Sequence, residues 1–288
     1  MKPNIAFVTG GYSGESVISY KSAVTIENNI DKDKYNVYTI DITPVGWFYR
    51  IGDHSIPVDK NDFSVNNNGT VTKFDAVLIG IHGTPGEDGK LQGYFDLLNL
   101  PYTSCDAATS ALTFNKRYTV AVAAFAGIKV APSVHLFKSS SLSPDVILKQ
   151  LTLPVFVKPN NGGSSIGMSK VNVPEELPAA LQKAFNEDDQ VLVEEFIKGR
   201  EFTIGVFKTG REIITLPITE VTTKKEFFDF EAKYTPGITE EITPALLPET
   251  VRERISTNSK QLYQDLNCRG IVRIDYIYDE AKDTVYFL

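Results

Sequence analysis

Along the first hundred positions, short apolar runs alternate with longer mixed stretches. Ile5 to Thr9 predicts a strand that stops at Gly10-Gly11, Ser16 to Ile30 a helix, and Tyr35 to Ile42 a second strand. Trp47 to Ile51 reads as a local hairpin strand, and Ala76 to Ile81 as a strongly apolar one. Strands separated by helical patterns predict βαβ units and a mainly parallel sheet. Asn61 to Gly69 is polar and Asn-rich, which predicts a surface loop.

The middle of the chain opens with helical composition from Ala107 to Gly127, rich in Ala and closed by a glycine stop signal. Val155 to Lys158 and Met168 to Val173 predict strands on either side of a Gly/Ser loop, Gly162 to Gly167. Leu177, Ala180, Leu181, Ala184 and Phe185 recur at helical spacing and mark one buried helix face. Val191 to Phe196 returns as a strand. The last third predicts strands at Phe202 to Phe207, Ile213 to Ile218, Ile271 to Tyr278 and Val285 to Leu288, with one helix from about Glu249 to Leu266. The final strand has no turn, cap or polar tail after it, so the last domain is expected to be incomplete.

Composition narrows the function classes. The 288 residues suffice for two or three compact domains. Hydrophobic content of 42% and charged content of 23% describe an ordinary globular protein. A formal net charge of −7 argues against nucleic acid as the main partner. It leaves room for a small phosphate ligand, because a few local Lys and Arg set the field inside one cleft. Cys105 and Cys268 sit in no metal-binding spacing, which fits a reducing, cytoplasmic setting. Met1 to Phe7 is too short and polar for a signal peptide, and no run is long enough to cross a bilayer, so no membrane partner is expected.

Several places could carry chemistry. Gly10-Gly11-Tyr12-Ser13-Gly14-Glu15 follows a strand and precedes a helix, the usual ligand position at the carboxyl end of a parallel sheet. Its spacing is not that of a dinucleotide fingerprint, and Glu15 alone reads more readily as a helix-dipole partner than as a ligand contact. His82-Gly83-Thr84-Pro85-Gly86-Glu87-Asp88-Gly89 is a tight turn in which Asp88 can cap a helix and His82 can meet a ligand. Lys158 leaves a strand beside Asn160-Asn161-Gly162-Gly163-Ser164-Ser165-Ile166-Gly167, a pattern that places a cation and backbone N–H groups around phosphate oxygens. Arg273 and Asp275 lie two apart on one strand and share a face, opposite Val272, Ile274 and Tyr276. Beside a phosphate loop, Asp275 becomes a candidate Mg²⁺ ligand and Arg273 an anion clamp. Lys233-Tyr234 leads into Thr235 to Pro248, a Pro-containing loop with the character of a lid. Lys116 falls in the Ala-rich helical region, where an isolated lysine is ordinarily solvated.

In order along the chain, GGYSGE, HGTPGEDGKLQG, LPYTS, VKPNNGGSSIGMSKV, EEF…GREFT, FFDFEAKY and GIVRIDY resemble the D-alanine–D-alanine ligases of the ATP-grasp superfamily. The resemblance implies an α/β fold: an N-terminal parallel-sheet (Rossmann-like) domain over 1–100, then a two-part ATP-grasp fold. A central subdomain would span 101–198, and a C-terminally truncated catalytic domain 199–288. It implies ATP-dependent joining of two D-alanines through an acyl phosphate, for peptidoglycan synthesis, with ATP and Mg²⁺ (or Mn²⁺) as cofactors and a homodimer as the assembly.

By the same resemblance, Glu15 binds the ammonium of the first D-alanine, with Ser164 and Tyr234 hydrogen-bonded to Glu15. Lys116 and Lys158 contact ATP phosphates, with Ser165 in the same loop, and Lys233 reaches the γ-phosphate. Glu194 meets the adenine amino group and Glu201 the ribose. Arg273 steadies the oxyanion, Asp275 ligates the metal, and His82 lies near the substrate. Tyr234 stands where relatives that make D-alanyl-D-lactate commonly have Phe, which favours an amine as second substrate. Two departures stand out internally: Asn115-Lys116 replaces the usual Asp-Lys, and Glu195 stands where relatives often have Lys. The family's Glu-x-Asn and Ser-Pro-Gly-Met-like segments, expected just after Leu288, do not occur here. Two alternatives follow: a ligase for a different amino-acid pair, and a catalytically impaired binding protein lacking part of the metal site.

Overall fold

The computed structural model describes residues 2–139, 143–223 and 237–288. It divides into two units, Met1–Ala111 and Leu112–Leu288.

The first unit is built on a seven-stranded sheet. Strand β1 (Asn4–Gly10) lies between β2 (Asn36–Thr43) and β7 (Ala76–Ile79) and is parallel to both. Helix α1 (Ser16–Asn29) supplies the β1–β2 crossover. Beyond β2 the sheet continues antiparallel through β3 (Gly46–Ile51), β4 (His54–Asp59), β5 (Ser64–Asn67) and β6 (Thr70–Thr72). The sheet is therefore parallel only around β1 and mixed as a whole. The reason is local: the connections after β2, β3 and β5 are two residues long, and so short a link joins only antiparallel neighbours. Asn61 to Gly69 is not the surface loop expected from its polarity. Phe63 and Val65 are buried within it, and Ser64–Asn67 forms β5. The core of this unit joins Ala6, Val8, Ile40 and Ile42 to Leu91 and Phe95 of α2 (Lys90–Leu97).

The second unit holds two sheets. A four-stranded antiparallel sheet runs β10 (Ser169–Val171), β9 (Val155–Pro159), β11 (Gln190–Glu195), β8 (Ser133–Phe137). Helix α6 (Leu177–Phe185) covers it with Leu177, Ala180 and Ala184, flanked by Leu181 and Phe185, the face that the spacing predicts. Helix α5 (Pro144–Leu148) adds Ile147 to the same core. The other sheet runs β15 (Thr239–Ile242), β14 (Thr219–Thr223), β12 (Arg200–Thr209), β16 (Ile271–Asp279), β17 (Thr284–Phe287), with β13 (Glu212–Thr215) paired to β12. Phe202, Ile204 and Val206 of β12 and Ile274 and Tyr276 of β16 pack on Val251, Ile255 and Leu262 of α7 (Glu249–Asp265). Burying that face of both strands turns Glu201, Thr203, Arg273 and Asp275 to the opposite face.

The helical stretch from Ala107 to Gly127 is two helices, α3 (Ala107–Phe114) and α4 (Lys116–Phe125). Asn115 breaks it by taking an extended backbone (φ −94°, ψ 105°), and its side chain accepts the Tyr118 N–H at 3.2 Å. An N-cap needs a short acceptor side chain, and Asn serves as well as Asp.

Candidate functional site

In the first unit two motif loops are bound to each other. Gly11 N–H donates to Ile42 O at 2.7 Å, and Tyr12 N–H donates to Thr84 O at 2.8 Å. Glu15 occupies the N-cap position of α1, but its side chain makes no capping hydrogen bond. Its carboxylate is buried against Gly83: a Cβ there would fall 2.5 Å from Glu15 Oε2 and 2.6 Å from Ser13 Oγ. Gly83 has φ +73°, so the position suits glycine on both counts. Gly83 N–H donates to Glu87 Oε2 at 2.6 Å. His82 Nε2 lies 3.0 Å from Ser22 Oγ, and its backbone N–H donates to Ser19 Oγ at 2.9 Å. Glu15 and His82 thus belong to one cluster at the carboxyl ends of β1 and β7, beside α1.

A buried network that sequence reading did not find supports this cluster. Asp41, at the carboxyl end of β2, accepts the Tyr20 hydroxyl at 2.8 Å and pairs with Arg50. Burial, and then hydrogen bonding to Asp41, pushes the Tyr20 hydroxyl up to about 12, so it remains a proton donor at neutral pH. A Cβ on Gly10 would lie 2.6 Å from Asp41 Oδ1, so the bare glycine makes room for that carboxylate. An isolated Asp in an alternating strand carries no sequence signal of such a role.

In the second unit Lys116 and Lys158 flank one loop. Lys116 N–H donates to Asn160 O at 3.0 Å, Arg117 N–H to Asn160 Oδ1 at 2.9 Å, and Lys116 Nζ to Gly162 O at 2.7 Å. The first turn of α4 is thereby fixed to the segment leaving β9, and Lys116 is not a solvated surface lysine. Asn160 itself is fully buried. Asn161 N–H and Nδ2 both donate to Asp188 Oδ2 at 2.7 Å, which anchors the loop from its other side. Ser164 and Ser165 take φ of +53° and +58°, a left-handed conformation uncommon outside glycine and concentrated at ligand sites.

Lys158 on β9 pairs with Glu194 on β11, and both side chains are largely buried. Glu201 on β12 and Asp275 on β16 share the face away from the core, where Thr203 stands directly opposite Asp275. Arg273 Nε and Nη2 donate to Asp275 Oδ1 and Oδ2 at 3.0 and 3.1 Å, a two-point pair along one strand. Lys233 and Tyr234 lie outside the described residues. Among the described residues no group of three His, Cys, Asp or Glu could hold a metal ion, and no helix is long and apolar enough to cross a membrane. Asn160, Asp188 and Thr203 carry parts of this arrangement without having been singled out in the sequence. Asn160 and Asn161 read there only as members of a small-residue loop.

Comparison with known families now bears on this geometry. The D-ala D-ala ligase N-terminus matches residues 4–105, and the D-ala D-ala ligase C-terminus matches residues 116–288. The chain belongs to the D-alanine–D-alanine ligase family. The matched segments leave out only 106–115 between them, the stretch that contains the boundary between the two units. A D-alanine–D-alanine ligase of Parabacteroides distasonis is 47% identical over 279 residues, covering 96% of this chain and 84% of the relative. The structure of D-alanyl-alanine synthetase A from Vibrio cholerae superposes with a TM-score of 0.88 at 26% identity, over 99% of this chain and 87% of that one. The Bacillus anthracis D-alanine–D-alanine ligase complexed with ATP gives a TM-score of 0.76 at 27% identity, over 99% of this chain and 84% of that one. As a family member this chain is an ADP-forming ligase with the mixed α/β architecture of the ATP-grasp enzymes.

Proposed function

We propose that this protein joins two D-alanines to D-alanyl-D-alanine at the expense of ATP, for peptidoglycan precursor synthesis, with the residues named above in the following roles. The observation that carries the reading is Lys116 folded onto Gly162 and Lys158 on the strand that leads into the same Gly162–Gly167 loop, in a chain of this family.

A carboxylate is a poor electrophile because acyl substitution would have to expel oxide. The first D-alanine is therefore activated: a carboxylate oxygen attacks the γ-phosphorus, the bond to the ADP oxygen breaks, and an acyl phosphate forms. The amine of the second D-alanine then attacks the acyl carbon, a tetrahedral oxyanion forms, and phosphate leaves as the peptide bond closes. Such a site must position the reactants and stabilise developing negative charge. Glu15 pairs with the ammonium of the first D-alanine, with His82 beside it. Lys116, Lys158 and the loop at Ser164 and Ser165 hold phosphate oxygens. Glu194 meets the adenine, and Glu201 the ribose. Arg273 is the donor to the oxyanion. Lys233 for the γ-phosphate and Tyr234 for the first D-alanine complete the set.

Mg²⁺ in nucleotide sites is held by one or two carboxylates, the remaining positions going to phosphate oxygens and water. Asp275, a hard-oxygen donor on the same face as Glu201, fits as one such carboxylate. Bound there with ATP, the ion would neutralise charge on the phosphates. The reading also places the enzyme in the cytoplasm as a homodimer. The alternative of a catalytically impaired binding protein has no support among the ligases with which the chain compares.

The test is phosphate release by the purified chain with Mg·ATP and D-alanine, with chromatographic detection of the dipeptide. D-serine and other amino acids serve as comparators for the second position. D-alanine-dependent release with dipeptide formed is the expected result. ATP binding without any amino-acid-dependent release would overturn the reading.

A further inference from the structure

Three buried side-chain polar atoms among the described residues have no hydrogen-bond partner: Gln92 Oε1, Asn160 Nδ2 and Thr203 Oγ1. Gln92 and Asn160 each use their other amide atom, Gln92 Nε2 donating to Gly86 O at 2.6 Å and Asn160 Oδ1 accepting from Arg117 N–H at 2.9 Å. Thr203 has only its hydroxyl to use. A buried hydroxyl left without a partner is destabilising, and such groups in folded proteins call for a reason. An isosteric valine would avoid the cost and suits a strand better.

The position of Thr203 supplies the reason. On β12, Phe202 and Ile204 face the core, so Thr203 faces the other way with Glu201. Its partner in the antiparallel register of β12 and β16 is Asp275. Directly opposed residues on one face bring their Cβ atoms to about 4.5–5.5 Å, within reach of a hydroxyl–carboxylate hydrogen bond. In this structure both Asp275 oxygens instead accept from Arg273. That pairing conflicts with the proposed chemistry, in which Arg273 serves an oxyanion and Asp275 a cation. A guanidinium that keeps Nε and Nη2 on Asp275 has Nη1 left for another anion, but turning its two-point face to the substrate releases the Asp275 carboxylate.

We propose that the Thr203 hydroxyl is a positioning group for Asp275, donating to its carboxylate once Arg273 turns to the substrate. The inference rests on the proposed ligase reading. Thr203 takes no part in bond making. It holds one carboxylate oxygen so that the other keeps its orientation toward Mg·ATP.

Thr203→Val and Thr203→Ser test this, with thermal unfolding of the ligand-free protein and steady-state kinetics as readouts. In Thr203→Val the orphan hydroxyl is gone, and the melting temperature rises by roughly 2–4 °C. The KM for Mg·ATP rises roughly ten-fold, the size of one hydrogen bond to a charged acceptor, with kcat changed less. Thr203→Ser keeps the hydroxyl and stays near wild type in KM. A lower melting temperature for the valine variant would mean that the hydroxyl already has a partner, and would overturn the proposal. So would a higher melting temperature with unchanged KM, or a serine variant that shares the valine defect. A wild-type control without D-alanine-dependent phosphate release would instead sink the ligase reading itself.

Discussion

Glycine at position 83 and the carboxylate of Glu15 define one constraint. The motif that carries Gly83 is legible in the sequence as a tight turn, but its function there is not turning alone. The missing Cβ is the space into which the Glu15 carboxylate fits. In Gly83→Ala the new methyl meets that carboxylate, in a backbone conformation that alanine tolerates poorly. The expected result is a rise of roughly ten-fold or more in the KM for D-alanine, as for loss of a charged hydrogen bond, with the KM for ATP nearly unchanged. Steady-state kinetics with each substrate varied in turn check it, and an unchanged D-alanine KM would remove Glu15 from the ammonium role. Lys116 makes the converse point. Sequence context alone makes it a surface lysine, because nothing local distinguishes a solvated cation from one folded back onto a loop 46 positions away.

Among elements, α4 shows how one residue sets both structure and site. Asn115 ends α3 and caps α4, and the residue after it is Lys116. The departure from the family's usual Asp removes a charge but keeps the acceptor that the helix N-terminus needs. Asn115→Ala is therefore expected to lower stability by about 1 kcal/mol, whereas Asn115→Asp stays close to wild type. Urea unfolding of the two variants decides it; equal losses would show that the cap contributes nothing. The strands that periodicity missed, β4, β5, β6, β8, β14 and β15, are six residues or shorter, and all but β4 lie at or next to a sheet edge. Their pairing comes from neighbours rather than from their own pattern. Helix α6 and strands β1, β9, β11 and β16 were legible because each buries a face, and burial imposes a period on the sequence.

On the scale of the whole molecule, the candidate contacts divide by unit. Glu15 and His82 lie in Met1–Ala111, and Lys116, Lys158, Ser165, Glu194, Glu201, Arg273 and Asp275 lie in Leu112–Leu288. Mg·ATP without D-alanine should therefore slow amide hydrogen exchange in β9, β11 and the Gly162–Gly167 loop, and leave β1 and β2 unchanged. Saturation at about 100 times Kd would add about 2.7 kcal/mol to the stability of the binding unit. Exchange mass spectrometry checks the localisation, and protection centred on β1 instead would reverse the assignment of ligands to units. The sequence by itself determined the α/β class, the main buried strands and helices, and the family, because ordered motifs and hydrophobic periods are properties of short segments. Tertiary structure alone decided that the first sheet turns antiparallel beyond β2, and that Gly83 yields its space to Glu15. It also decided that Asn160 fixes α4 to the segment leaving β9, and that Thr203 stands opposite Asp275. Those facts are pairings between distant segments, and a pairing leaves no mark on either segment read alone.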